Sequence, residues 1–439
     1  MAFFSKVFKR NSDVNLPNIQ FGRHTTTTYT DQQYNAWTNA VVLYEQEKYL
    51  KSFERLLHFM TDAQEENILY THDKGAIQFS LYQGSKVIEG YADAHIIRAK
   101  TRVARMTQPN PELLQWLLEE NYYLKYCRFS LDDQQCICLI FDTFVEAGTP
   151  HRVYEALREL AIKADNKDDV LISRYPDLIP VKPIRLRIPD DQEVQTKYQY
   201  TLKWIQHVMD IMHTSPLNQS EYAGGTSYLL MDVLFRIDFL IKPEGTIMED
   251  IQKVQDTFFY NSMLEITHKN EMLIQTLLQI SGTDYSTFAN QLYDVRKTFG
   301  QSQFEDQLHF AGMVQVQMAD FEWYYNHGHI EHARSVCAFI VGYALYAISL
   351  PVLSRALLIL YYRISEEVFF TALGYPKMSF NNNGLLQKSA IIRELKKTVD
   401  LHKDVALQKM PEYRNLIFDD IAIFSKSWVE MIAALKPAI

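Results

Sequence analysis

The fold of this chain is decided by residues 76–160, which read AIQFSLYQGSKVIEGYADAHIIRAKTRVARMTQPNPELLQWLLEENYYLKYCRFSLDDQQCICLIFDTFVEAGTPHRVYEALREL. Ala76–Gln83 alternates apolar and polar residues, which is the period of a half-buried strand. Gly84-Ser85 is a turn pair, and Lys86–Met106 continues as extended, alternating sequence. This part of the chain therefore predicts an antiparallel strand meander.

Helices and strands alternate on both sides of the meander. Gln32–Met60 carries apolar residues at helical spacing, and Pro111–Asn121 reads as an amphipathic helix. Lys125–Leu131 and Gln135–Val145 follow as two strands, and His151–Asp165 closes the block as a helix. The predicted order is helix, three antiparallel strands, helix, two strands and helix, which is an α+β arrangement.

Several residues in this block resemble the type III secretion chaperone-like fold, which is shared with the YbjN-like family. Leu113-Leu114, Leu117-Leu118 and Asn121 resemble the family's middle helix, which ends on Asn before the next strand. Arg128–Asp133, followed by Cys136–Phe144, resembles its fourth strand, acidic turn and fifth strand. Arg152–Ala161 resembles its closing helix, so the resemblance covers residues 31–165.

The resemblance implies a function in binding other proteins. Members of this family are thought to bind protein partners, often as dimers, and they have no catalytic residues to carry over. Secretion chaperones are single small domains, whereas this chain continues for some 250 residues beyond the block. The resemblance therefore implies an interaction role rather than a role in secretion.

The chain divides at a proline-rich segment. Four prolines fall within residues 175–189, and proline at this density is incompatible with a helix interior. We predict a flexible tail at 1–26, an α+β domain at 27–175, a linker at 176–189 and an all-helical domain at 190–439. The last domain is expected to hold about nine helices, including single helices across Ile247–Ile280 and Tyr285–Thr298.

The composition of the chain bears on the class of partner it binds and on the cellular compartment it occupies. The 439-residue chain has a net charge of −9 and no long basic stripe, which argues against nucleic-acid binding. It has only four cysteines and no Cys-x-x-Cys pair, which fits a reducing, cytoplasmic compartment.

Two segments keep a membrane association open as an alternative. Met1–Arg10 is basic and apolar and could anchor at a membrane surface, although we favour a frayed tail. Ser335–Ser354 has no charged residue over the length of a membrane span. Gly342 and Pro351 interrupt it, so we favour two buried helices joined near Ser349–Pro351.

The densest group of metal-binding residue types is formed by His327, His329 and His332. Imidazoles at this spacing could bind zinc or another transition metal. Gly328 predicts a helix boundary between them, and histidines in a polar turn are usually solvated. We therefore assign no metal ligand, and we keep metal or small-molecule binding in the helical domain as an alternative.

Other residues invite a chemical interpretation, but each has a simpler structural one. We expect a surface hydrogen-bonded pair among His207, Asp210 and His213, and a helix N-cap at Gly224, Gly225, Thr226 and Ser227. We expect a turn at Asp132 and Asp133, and inert thiols at Cys127, Cys136 and Cys138. We expect core packing for the remaining candidates, which are Tyr343, Tyr346, Tyr361, Tyr362, Met313 and Met318.

The sequence thus predicts a non-enzymatic adaptor or chaperone-like protein. No catalytic, cofactor-binding or metal-binding residue is assigned. The α+β domain is expected to bind a segment of a protein partner or a second copy of the chain, with the helical domain as a second surface. The alternatives are a small-molecule or metal binder, with or without enzymatic activity, in the helical domain, and a membrane-associated protein.

Overall fold

The computed structural model describes residues 17–22, 29–62, 66–181, 187–300, 306–402, 407–409 and 411–437. Two compact units account for them. The first, the α+β unit, contains Tyr29–Ile188 and Tyr293–Gly300. The second, the helical unit, contains residues 17–22, Pro189–Leu292 and the described residues from 306 onward. The tail Met1–Arg10 lies outside the described residues.

The α+β unit follows the predicted alternation of strands and helices. Its elements, in chain order, are α1 (Asp31–Glu45), α2 (Tyr49–Met60), β1 (Ile68–Asp73), β2 (Ala76–Gly84), β3 (Lys86–Ala92), β4 (Ile96–Arg105), α3 (Pro111–Tyr123), β5 (Arg128–Leu131), β6 (Cys136–Phe144), α4 (Pro150–Arg174), β7 (Ile179–Pro180) and, much later, β8 (Arg296–Lys297).

One antiparallel sheet forms the centre of this unit, with strand order β1-β2-β3-β4-β6-β5. On β2, Ile77, Phe79 and Leu81 are buried, while Gln78 between them is exposed, as the alternating sequence requires. Helix α4 covers the buried face with residues at helical spacing, among them Leu157. Burial of these two apolar faces holds the unit together.

The predicted fold class is confirmed: an α+β region is followed by a helical region. The structure adds β1, an edge strand that pairs along its whole length with β2. The two strands are joined by Lys74 and Gly75, both with positive φ, as a tight two-residue hairpin requires. The N-terminal pattern across Gln32–Met60 forms two helices, α1 and α2, with the polar residues 46–48 between them, as a helix–turn–helix pattern predicts.

Strand β8 comes from the helical half of the sequence and pairs with the end of β2, at Gln83 and Gly84. The side chain of Gln83 donates to the carbonyl of Phe299 at 3.2 Å and accepts the amides of Thr298 and Phe299 at 3.2 and 3.0 Å. Phe299 is buried in the core of the α+β unit. An extended segment of eight residues thus completes this unit from more than one hundred residues away.

The helical unit is built from eleven described α-helices. They are α5 (Asp191–Thr214), α6 (Ala223–Arg236), α7 (Gly245–Tyr260), α8 (Ile266–Ser281), α9 (Tyr285–Asn290), α10 (Gln307–Asn326), α11 (Ile330–Ala347), α12 (Val352–Ser365), α13 (Glu367–Ala372), α14 (Lys388–Leu401) and α15 (Ile421–Ala433). A short hairpin of β9 (Leu407–Lys409) and β10 (Lys436–Pro437) accompanies them.

Two helix predictions in this unit are wrong. The pattern across Ile247–Ile280 breaks into α7 and α8, because Asn261 leaves the helix and its side chain accepts the Met263 amide at 3.1 Å. The pattern across Tyr285–Thr298 ends at Asn290, and its second half forms β8. A 3.6-residue period alone therefore did not locate either break.

The uncharged segment Ser335–Ser354 forms the end of α11 and the start of α12, joined at Ile348–Pro351, as expected. Both helices are buried over most of their length. Gly342 of α11 lies against the ring of Phe235 on α6, where a Cβ would come within 2.5 Å of the ring carbons. Among the described residues, no helix is both long enough and apolar enough to cross a membrane.

Candidate functional site

The three clustered histidines lie at the junction of α10 and α11, where the ring of His329 is 6.1 Å from that of His332 and the ring of His327 stacks on Trp323. The ring of Trp323 lies between His327 and Tyr222, at centroid distances of 4.3 and 5.3 Å. Nδ1 of His327 is 2.7 Å from the carbonyl of Trp323. His327 therefore caps the end of its own helix.

His332 has a different environment from the other two histidines. It is buried on α11, and its ring stacks on Tyr324 at 5.4 Å. Burial, aided by the neighbouring His329 and opposed by Glu331, lowers the pKa of His332 to about 4. Within the described part of the chain, no group of three or more His, Cys, Asp or Glu side chains is placed to hold a metal ion.

The candidate residues on α5 and in the glycine-rich segment 224–227 have structural roles. Asp210 accepts a hydrogen bond from Gln206 at 2.7 Å, while His207 and His213 are exposed on the same helix. The N-cap predicted at Thr226 or Ser227 is wrong, because α6 already begins at Ala223. The two residues lie inside the helix, where the Ser227 hydroxyl donates to Asn270 at 2.7 Å.

Asp132 shapes the turn between β5 and β6. Its carboxylate accepts the amides of Gln134 and Cys136 at 2.9 and 3.0 Å and pairs with Arg102 at 2.8 Å. Burial acts to raise the pKa of Asp132, but the two amides and Arg102 together hold it below the usual value. A carboxylate held in this way is ionised and structural.

The four cysteines are free and buried. Burial raises the pKa of Cys138 to about 11, and it also raises the pKa of Cys127 and of Cys337. Since the thiolate is the reactive form, these side chains behave as small apolar residues.

The Tyr- and Met-rich helices fill the core of the helical unit. Tyr361 and Tyr362 are fully buried on α12. The hydroxyl of Tyr361 donates to Ser425 at 2.9 Å. The remaining members pack at the edge of the same apolar cluster: Tyr343, Tyr346, Met313 and Met318.

A buried ionic cluster in the helical unit escaped sequence analysis. Arg236 pairs with Asp232 at 2.8 Å and with Glu366 at 3.3 Å, and it lies over the ring of Trp204 at 5.3 Å. Burial opposes the charge of Arg236, but the two carboxylates raise its pKa further above the usual value. The i, i+4 spacing of Asp232 and Arg236 on an apolar helix was the available signal.

Two cavities, one in each unit, are poorly suited to catalysis. The cavity next to Arg236 measures about 20 Å³, which is room for a single water molecule. A cavity of about 450 Å³ lies at the start of α3 in the α+β unit. Its lining is neutral apart from Asp177, and it brings together no nucleophile and base.

Among the described residues of the α+β unit, the three most exposed large apolar side chains lie on the outer side of α3. Leu118, Tyr122 and Tyr123 are 70%, 84% and 74% exposed. On the other side of the helix, Leu113 and Leu117 are buried in the core. Helix α3 thus carries apolar residues on the side that faces the core of the unit and also on the side that faces solvent. The sequence pattern predicts only one apolar face.

The charged residues of α3 are all acidic. Glu112, Glu119 and Glu120 are the ionisable carboxylates of the helix, and it contains no Lys or Arg. Glu112 lies 3.7 Å from Arg174, and Glu119 accepts a hydrogen bond from Gln115. Two carboxylates, those of Glu119 and Glu120, thus follow Leu118 directly on the helix, while the exposed Lys125 lies just beyond its end.

No protein-family model matches the chain, and no curated protein matches it.

Proposed function

We propose that this chain is a non-enzymatic adaptor whose α+β unit binds a protein partner at the outer side of α3. The observation that carries the proposal is the exposure of Leu118, Tyr122 and Tyr123 on one helix. Contiguous exposed apolar surface in a folded chain commonly marks an interaction site. Tyrosines are also enriched at the energetic centres of interfaces.

The carboxylates of Glu119 and Glu120 specify the partner further. A partner segment that places apolar residues against Leu118 and Tyr122, with Lys or Arg at its margins, would face Glu119 and Glu120. Such charges chiefly accelerate association and reject wrong partners, while burial of the aromatic rings provides the affinity. No covalent step is involved.

The test compares two pairs of substitutions in the full chain. Tyr122→Ser with Tyr123→Ser removes the aromatic centre of the α3 surface. Tyr260→Ser with Met263→Ser is the matched control, because these residues are 57% and 92% exposed in the helical unit. Proteins captured by the wild-type chain from its native extract are quantified by mass spectrometry, and the strongest is then purified and titrated against all three chains.

We expect the affinity of the purified partner to fall at least about tenfold for the α3 variant and by less than about twofold for the control. Raising the salt concentration should slow association with the wild-type chain. Equal affinities of the α3 variant and the wild-type chain would place the partner elsewhere and contradict the proposal.

A further inference from the structure

Helix α10 is apolar on the side that faces solvent as well as on the side that faces the core. Of its 20 residues, only Asp320 and Glu322 are Asp, Glu, Lys or Arg. One side of the helix packs against α11 and α15, and Phe310 and Phe321 on that side are fully buried. A surface helix normally presents polar residues to solvent, so the opposite side of α10 needs an explanation.

The solvent side of α10 carries a seam of uncharged residues. Leu308 and Val316 are 79% and 70% exposed, and Gly312, Ala319 and Trp323 are exposed with them. From the glycine onward, these residues follow one another at intervals of four, three and four positions. That is the spacing by which one helix packs along another in a coiled coil.

Gly312 is not required by the packing of its own chain. A Cβ at this position would meet no atom within 4 Å, whereas a Cβ at Gly342 of α11 would strike the ring of Phe235. Glycine within a helix is destabilising relative to alanine, because it leaves the unfolded chain more freedom. An exposed glycine inside α10 therefore fits the close approach of a helix from outside the chain.

The seam is complementary to itself when it is read backwards. Gly312, Val316, Ala319 and Trp323 alternate between small and large residues, and the reversed order alternates between large and small. Two antiparallel copies of α10, related by a two-fold axis between residues 317 and 318, place Trp323 of one copy opposite Gly312 of the other. Val316 then lies opposite Ala319. Each large side chain meets a small one, as close packing requires.

A parallel arrangement of two copies fits less well. It would place Trp323 against Trp323 and glycine against glycine, which crowds one end of the seam and leaves a gap at the other. It would also bring Asp320 and Glu322 of both copies together, whereas an antiparallel pair offsets them along the axis. Each carboxylate already has a partner in its own chain: the Tyr228 hydroxyl donates to Asp320 at 2.6 Å, and Lys426 lies 3.2 Å from Glu322.

We infer that the exposed seam of α10 pairs with the same seam of a second copy, so that the chain forms an antiparallel, two-fold symmetric dimer through its helical unit. A second copy brings the complementary order of small and large residues by symmetry alone. The seam is about 17 Å long at 1.5 Å per residue, so the dimer should dissociate reversibly. It lies in the helical unit and α3 lies in the α+β unit, so a failure of one proposal leaves the other standing.

The test measures self-association of the full chain by analytical ultracentrifugation, from about 1 to about 100 µM. Val316→Glu places two carboxylates beside the two-fold axis. Val368→Glu is the matched control, since Val368 is 67% exposed on α13 of the same unit. Circular dichroism verifies that both variants are folded.

We expect the wild-type chain to show a monomer–dimer equilibrium. The dissociation constant should rise at least about tenfold for Val316→Glu and stay within about twofold for Val368→Glu. Gly312→Leu should also weaken the dimer, because its side chain fills the space for Trp323. It should raise the melting temperature of the dilute monomer, because leucine is the better helix former.

Cysteine crosslinking tests the antiparallel order. Val316→Cys and Ala319→Cys chains, when mixed, should form disulfide-linked dimers faster than either variant alone, because the two positions face each other across the axis. In a parallel dimer, each variant would crosslink fastest with itself. The four native cysteines are buried and compete poorly.

Four results would overturn the inference. A wild-type chain that stays monomeric throughout the concentration range has no such dimer. A dimer that both glutamate substitutions weaken equally, or that neither weakens, lies on another surface. Self-association that is lost in Tyr122→Ser with Tyr123→Ser, but kept in Val316→Glu, belongs to α3. Faster crosslinking of each cysteine variant with itself would contradict the antiparallel seam.

Discussion

The side-chain amide of Asn121 binds both backbone groups of Phe129: it accepts the Phe129 amide at 2.6 Å and donates to the Phe129 carbonyl at 3.3 Å. Phe129 lies on β5, the last strand of the sheet. The last turn of α3 thus occupies the position that a further strand would take. Exposed strand edges invite association with other chains, and Asn121 covers this edge at Phe129.

Asn121→Ala should therefore destabilise the α+β unit and open the edge of β5. We expect a loss of about 1–3 kcal/mol in the free energy of unfolding, because the backbone groups of a buried residue lose their partner. Urea unfolding measures the loss, and light scattering measures aggregation. Gln115→Ala on the same helix is the control, since Gln115 bonds only to the exposed Glu119. A variant as stable as this control would refute the edge-closing role.

Glu159 on α4 holds the entry to β5. Its carboxylate accepts three successive amides, those of Lys125, Tyr126 and Cys127, at 2.8–3.0 Å. Glu159→Ala should cost about 2–4 kcal/mol, since charge-assisted bonds are the stronger ones and three donors lose their acceptor. Glu155→Ala, one turn earlier and exposed, should change the free energy of unfolding by less than about 0.5 kcal/mol.

Gln83 fixes the segment that returns to the sheet from the helical half of the chain. Gln83→Leu keeps the side-chain volume but removes three hydrogen bonds to Thr298 and Phe299. We expect a loss of about 2–3 kcal/mol. Faster amide hydrogen exchange of residues 295–299 should accompany it. Gln78→Leu, at an exposed position of the same strand, should leave both measurements unchanged.

Local pattern was sufficient for most strands and helices of the α+β unit, although it missed β1 and β7. Ile77, Phe79 and Leu81 alternate because one face of β2 meets the core, and that period is visible in the sequence. The same reasoning failed at Arg296–Lys297, where the pairing partner lies more than two hundred residues earlier. Strand pairing at such a distance is a tertiary effect that a local window does not contain.

The candidate site was harder to predict than the fold, for a related reason. Leu118 and Leu117 are adjacent and chemically alike, yet only Leu117 is buried. Which side of α3 is covered depends on how the helix meets β5, and the Asn121–Phe129 contact sets that. The contact of Gly22 with the helical unit was hidden too. Pro243 has no N–H to donate to the Phe239 carbonyl, and the amide of Gly22 reaches that carbonyl from far upstream.

The cysteines provide a test of burial that needs no substitution. A thiol with a pKa of about 11, as at Cys138, is ionised in roughly one molecule per thousand at pH 8. The native chain should therefore react with fewer than one equivalent of a thiol reagent over the time in which the unfolded chain reacts with four. Rapid labelling of the native chain would show that a cysteine is accessible and contradict the inert assignment.

His332 should make the stability of the helical unit sensitive to acid. The unfolded side chain takes up a proton near pH 6.5, whereas the native one does so only near pH 4. The unfolded state thus binds more protons between these values, so stability is full above pH 6.5 and falls as the pH drops toward 4. At about 1.4 kcal/mol per pKa unit, the loss is about 3 kcal/mol at most.

His332→Phe removes this titration while keeping a ring against Tyr324. The free energy of unfolding of the variant should fall less between pH 7 and pH 4.5 than that of the wild-type chain, as measured by urea titration at each pH. His213→Phe, an exposed position, controls for the change of residue and should follow the wild-type profile. Parallel profiles for the wild-type chain and His332→Phe would mean that His332 is protonated as readily in the folded chain as in the unfolded one. Its burial against Tyr324 would then not be what sets its charge.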